Sequence, residues 1–185
     1  MKLFGPKSLS HYIHLLFKYL NYLIVIYAVL IGLLFLFAGL DHLGITNPIA
    51  ALEVTQSGFF LEIKIFNVHS ALPIGGFAGF LLYILMVAFS IGIYFFLTRY
   101  LGRIFLTLSK ESIFINSLAK NTRYIAILTF VLALEKLRDV FVANPLMENV
   151  FSDMITLVFI GTMIWFLSRV FDEGIKIQQE IDLTI

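Results

Sequence analysis

Residues 19–40 read YLNYLIVIYAVLIGLLFLFAGL, 22 residues without a charge. A bilayer hydrocarbon core of roughly 30 Å needs about 20 consecutive apolar residues in helical form, so this stretch is long enough to cross one. It exceeds the roughly 7–15-residue apolar core of a signal peptide, and FAGLDHLG (37–44) offers no convincing small-x-small cleavage site, so the sequence predicts an uncleaved first membrane helix.

Three further stretches extend the pattern. Residues 73–97 supply 25 uncharged positions, and residues 154–168 supply 15 more, extendable to 170 because Arg169 can snorkel to an interface. The weakest stretch is 124–134, with only 11 residues before EKLRD (135–139) interrupts it. It is read as a span reaching residue 143, because three spans would put the C-terminal stretch on the opposite side. The expected fold is therefore an all-α integral membrane protein, a single domain over residues 1–185. Its four spans would cover about 19–40, 73–97, 124–143 and 154–170.

Composition agrees. The 185 residues are 60% hydrophobic and 14% charged, with mean hydropathy +0.96. Soluble domains run about 45–50% apolar. The absence of cysteine excludes disulfides, thiolate metal sites and a cysteine nucleophile.

Orientation follows from Lys and Arg in short loops. Lys2, Lys7, Lys18, Arg99, Arg103, Lys110, Lys120, Arg123, Arg169 and Lys176 fall on one side of the four spans; Lys64, Lys136 and Arg138 fall on the other. Both termini are predicted to be cytoplasmic. Tyr19, Tyr22, Tyr94, Tyr100, Tyr124 and Trp165 collect toward the inner ends, as an interfacial belt does.

Between the first two spans, ALEVTQSGFFLEIKIF (51–66) alternates around Gln-Ser-Gly and predicts an outer β-hairpin over residues 50–67. The inner connection predicts two helical extensions joined near SKES, with Ser109 or Ser112 capping the second.

Several constellations carry competing readings. Ala71, Gly75 and Gly79 recur every four residues, as do Ala88 and Gly92. That spacing suits close packing within the chain, or a homodimer seam through the Gly75 and Gly79 face. Asp41, His42 and His69 could form an outer metal site, against the plainer reading of interfacial histidines. In the third span, Glu135, Lys136, Arg138 and Asp139 fall in one helical arc opposite Leu134, Leu137 and Val140. Charge at that depth faces a bundle interior or a wet vestibule and pairs, with Glu135–Arg138 and Lys136–Asp139 available at i, i+3. No residue set suggests catalysis or a resident cofactor.

The final stretch predicts a helix continuing from span four. Val170, Gly174, Ile177, Ile181 and Ile185 share one face, and Asp172, Glu173, Lys176 and Glu180 take much of the other. An anionic inner leaflet would repel its carboxylates. The tail would then clamp onto the basic inner connection or dock a basic cytoplasmic protein.

Phe171, Gly174, Glu180, Asp182, Leu183, Thr184 and Ile185 also carry a resemblance. The tail resembles that of a bacterial domain-of-unknown-function family of small four-span membrane proteins ending in Glu-x-Asp-Leu-Thr-Ile. The inner connection is similar in Phe114, Arg123 and Ile125. It departs where the family has Pro (here Ile113) and where it has Asn (here Leu118). The family has no assigned activity. Its members are often encoded beside a small Cro-type helix-turn-helix regulator, which implies a cytoplasmic DNA-binding partner and no direct contact of this chain with nucleic acid. The functional expectation is a non-enzymatic signalling or regulatory membrane protein. The alternative is a small transporter or immunity-type self-protection protein using the outer charged pocket.

Overall fold

Ser8 opens the first helix. Its carbonyl accepts from the amides of His11 (3.1 Å) and Tyr12 (3.3 Å), and its Oγ accepts from His11 N at 3.4 Å. This is how an N-cap serine satisfies amides that lack an intrahelical partner. α1 (Leu9–His42) therefore begins well before the predicted span. The molecule is described by a computed structural model covering residues 8–42, 52–57, 60–65, 68–72, 76–110, 116–142 and 147–184. Side chains are described for 8–36, 81–110, 116–136 and 150–181.

After α1 come β1 (Leu52–Ser57), β2 (Phe60–Ile65) and β3 (Val68–Leu72), then α2 (Gly76–Leu108), α3 (Asn116–Val142) and α4 (Met147–Thr184). The strands form one antiparallel sheet in order β1-β2-β3. Against the expected hairpin this is one strand more, and the turn shifts: Gln56 and Ser57 lie within β1, paired with Leu61 and Phe60. A two-stranded hairpin is marginal by itself, and a third strand pairs the second edge of β2. The sheet lies against the helices: β1 meets α1, β2 meets α2 and β3 meets α3.

The helices pack on their neighbours in sequence, α1 on α2, α2 on α3 and α3 on α4, with the α2–α3 contact the least extensive. Three helical segments, Leu9–Leu36, Leu81–Leu108 and Val150–Ile181, are long and apolar enough to cross a membrane. Their large side chains face outward: Leu85 is 69% exposed and Phe166 67%. Water would penalise such surface, whereas lipid accepts it at about −0.3 to −0.6 kcal/mol per large apolar residue.

α3 is the helix the others shield. Leu118, Ala119, Ile125, Ala126, Leu132 and Ala133 supply most of the buried apolar core among the described residues. On the same face, the hydroxyls of buried Thr122 and Thr129 donate to Leu118 O and Ile125 O, both at 2.8 Å. A hydroxyl satisfied within its own helix can be buried at little cost.

Two of the described glycines lie where helices approach closely. A Cβ at Gly161 of α4 would lie 3.0 Å from the Phe130 ring of α3, and one at Gly102 of α2 would lie 3.3 Å from Phe17 Cβ of α1. Gly92, singled out by its spacing, meets nothing within 4 Å, so close packing within the chain is not its role among the described residues. The side-chain surroundings of Gly75 and Gly79 lie outside the described residues. Ser109 does not cap α3. It ends α2, its amide bonding to Phe105 O (3.0 Å) and its hydroxyl to Leu106 O (2.7 Å). Ser112 lies outside the described residues.

Candidate functional site

α3 and α4 run antiparallel, and their contacts fix where α4 leaves the helical body. Ser168, buried, donates to Ala119 O at 3.2 Å. One turn on, Asp172 meets the Arg123 guanidinium at 2.5 Å, and Ile175 is 8% exposed. Residues 168, 172 and 175 follow the i, i+4, i+7 rule for one helix face. α4 then continues without a break to Thr184.

The Arg123–Asp172 pair joins the tail to a cation of the basic connection, as a clamp would, but the face that makes the contact is not the expected one. The stripe predicted to make the contact runs through Val170, Gly174, Ile177 and Ile181. In the structure Ile177 is 57% and Ile181 53% exposed, and Val170 is also exposed. At about 100° per residue, Ile177 lies roughly opposite Ile175. The contact is made by Asp172 and Ile175, which leaves the Ile177/Ile181 stripe on the outer face. Gly174 is half-buried between the two faces, and Glu180 is exposed. The side chains of Asp182 and Thr184, and the whole of Ile185, lie outside the described residues. Lys176 binds Glu173 at 2.7 Å, so the tail's one cation is already engaged.

The charged cluster at the far end of α3 is tied into the neighbouring helices. Glu135 accepts a hydrogen bond from Ser90 of α2. Lys136 lies 3.7 Å from Asp153 of α4. Leu134 is exposed on the other side, in keeping with the arc. The two side chains reach different helices across the sequence, which local i, i+3 pairing could not reveal. Arg138 and Asp139 have side chains outside the described residues.

Among the described residues, no group of three or more His, Asp and Glu could hold a metal. Asp41 and His42 fall at the end of α1 and His69 in β3, with side chains outside the described residues. His14, near the start of α1, has a structural role: its Nδ1 lies 2.8 Å from Gly102 O. A carbonyl only accepts, so this nitrogen carries the proton.

Sequence reading missed what His14 belongs to. His14, Lys18, Asn21, Tyr22, Arg99 and Arg103 line a pocket of about 360 Å³ between α1 and α2. The signal was present, since His14/Lys18 and Arg99/Arg103 are i, i+4 pairs on two helices that meet at Gly102.

Comparison of the chain with protein-family models, with curated proteins and with solved structures returned no match.

Proposed function

We propose that the chain is a four-span bacterial inner-membrane protein, both termini cytoplasmic and the small sheet outside. It would be non-enzymatic and would regulate a cytoplasmic partner docked on the tail of α4. The observation that carries this reading is the end of α4: a helix whose base is clamped by Asp172 and Ile175, and whose outer stripe of Ile177 and Ile181 remains exposed beyond the clamp. A tail built only to brace the body would turn its apolar stripe inward. The carboxylates of Asp172, Glu173, Glu180 and Asp182 favour a basic partner over an anionic membrane surface. A small DNA-binding regulator of the helix-turn-helix kind has that chemistry, and the resemblance of the tail to the unassigned four-span family points the same way.

Support for α3 as a fourth span is geometric. Its contacts with α4 run from Arg123–Asp172 to Lys136–Asp153. That interval is about 28 Å on α4 and about 20 Å on α3 at about 1.5 Å per residue, and the 27 residues of α3 make about 40 Å in all, against a roughly 30 Å hydrocarbon core. A helix lying beside that length shares its depth.

The test is co-expression with a small helix-turn-helix regulator of the kind encoded beside members of that family, followed by purification in detergent. The regulator is expected to co-purify with the intact chain and to be lost from Ile177→Asp/Ile181→Asp, with the variant's melting temperature unchanged. Equal recovery with that variant would exclude the tail as the dock.

One observation favours the transporter or self-protection reading instead: Ser90, Glu135, Lys136 and Asp153 link α2, α3 and α4 through polar contacts. Polar groups at membrane depth commonly mark a pathway. Proton or ion flux into liposomes carrying the purified chain, abolished by Glu135→Gln, would favour it.

A further inference from the structure

The pocket between α1 and α2 is basic at its mouth. Lys18, Arg99 and Arg103 line it, and none of the described lining residues is acidic. Among the described residues, none of these three cations has a carboxylate partner. The two arginines are held by aromatic rings, Arg99 over Phe95 at 5.9 Å and Arg103 over Tyr100 at 5.5 Å. Such stacking orients a guanidinium while leaving its in-plane N–H groups available for an oxyanion. The floor is fixed. Thr98 donates to Asn21 Oδ1 at 3.0 Å, Asn21 Nδ2 donates to Phe17 O at 3.1 Å, and His14 bonds to Gly102 O.

The same helix seam continues into a second hollow of about 180 Å³. Ala28, Gly32 and Phe35 of α1 line it with Ile84, Ala88 and Ile91 of α2. No polar side chain contributes to this lining. It exists because small residues stand where large ones would fill the seam: a Cβ at Gly32 meets nothing within 4 Å. From Tyr22 to Gly32 is about 15 Å along α1, the depth of one leaflet of a roughly 30 Å core.

A three-cation mouth followed at one leaflet's depth by an apolar hollow has the shape of one molecule. We infer that the α1–α2 seam binds an anionic glycerophospholipid, its phosphate held by Lys18, Arg99 and Arg103 and an acyl chain lying over Val25 into the hollow at Gly32 and Ala88. Phosphate suits paired arginines because the guanidinium fork matches two of its oxygens. The apolar hollow distinguishes a lipid from a free anion, which would gain nothing from it. The mouth lies at the basic end of α1 and α2, the end assigned to the cytoplasm in the proposed topology, where anionic lipids concentrate. Binding itself does not depend on that assignment or on the docking of a partner.

The experiment uses the full chain in neutral detergent, with native mass spectrometry reading lipid retention. Phosphatidylglycerol and phosphatidylcholine of identical acyl chains are titrated separately, and inorganic phosphate serves as the head-only probe. Phosphatidylglycerol is expected to bind at least about tenfold more tightly than phosphatidylcholine. Arg99→Gln/Arg103→Gln should weaken phosphatidylglycerol about thirtyfold and phosphatidylcholine, whose phosphate is already offset by its choline, by only about threefold, so that the preference collapses. Gly32→Leu, which grows into open space, should weaken both lipids. If the double variant fails to fold, exposed Lys18→Gln reads one charge, with a loss of about fivefold. Equal affinity for the two lipids, or indifference to the charge variants, would overturn the inference. Thermal stabilisation by inorganic phosphate equal to that by phosphatidylglycerol would overturn it too, in favour of a free-anion site.

Discussion

A Cβ added at Gly161 would lie 3.0 to 3.3 Å from three atoms of the Phe130 ring, whereas one added at Gly92 would meet nothing. Both sit in helix interiors, where Gly→Ala gains up to about 1 kcal/mol from propensity. At Gly161 overpacking of about 1–3 kcal/mol opposes that gain. Gly92→Ala is therefore expected to stabilise by up to about 1 kcal/mol and Gly161→Ala to destabilise by up to about 2 kcal/mol, measured by unfolding in mixed micelles. A destabilising Gly92→Ala would reveal a partner on that face. Ser90 belongs to the same scale. Its hydroxyl lies within hydrogen-bonding reach of Glu135 and of Met86 O, so Ser90→Ala removes a donor from a carboxylate between helices. Interhelical hydrogen bonds in membranes average about 0.6 kcal/mol and reach about 1.7. The loss should fall in that interval, and a neutral result would mean that Glu135 does not depend on Ser90.

Among the elements, the exit of α4 separates two kinds of contact. The Arg123–Asp172 pair is partly exposed, at 42% and 28%, so solvent screens it. Exposed pairs contribute about 0–1 kcal/mol. Ile175 is buried, and truncating a buried isoleucine costs about 2–5 kcal/mol. Asp172→Ala should thus lower stability by less than Ile175→Ala does, and the ion pair's part should fade with added salt. Loss of stability from Asp172→Ala as large as from Ile175→Ala would make the electrostatic contact the principal one. Only the phase of the helix decides this. Ile175 and Ile177 are equivalent in composition, and turning α4 by half a turn would exchange their roles.

For the molecule as a whole, α3 decides the topology. If it crosses, the connection before it and the tail after α4 share a side; if it does not, they lie on opposite sides. The chain has no cysteine, so single introduced cysteines report without background. With a membrane-impermeant maleimide on intact cells, Ser57→Cys is expected to label, and Lys110→Cys and Gln178→Cys are expected to label only after lysis. Opposite behaviour of Lys110→Cys and Gln178→Cys would leave three spans.

The amino-acid sequence by itself determined the helices α1, α2 and α4 as membrane-length, because transfer of a helix into lipid sums over its residues and needs no neighbour. It likewise placed Glu135 and Lys136 in one arc, since helical periodicity is local, and signalled a strand-forming segment between the first two spans. It did not determine their partners. That Glu135 meets Ser90, that Lys136 meets Asp153, and that Gly161 rather than Gly92 lies against another helix each require residues dozens of positions apart to be side by side. α3 shows the limit most plainly: alone it is too polar to be recognised by hydropathy, and only the structure shows its threonines and apolar residues buried where it packs on α2 and α4. The tail's helical form was legible, but its buried face was not, because Ile175 and Ile177 become different only when α3 supplies Arg123 and Ala119 on one side. The basic mouth and apolar hollow between α1 and α2 are decided by tertiary structure for the same reason: neither helix contains them, and they exist only where two surfaces leave space between them.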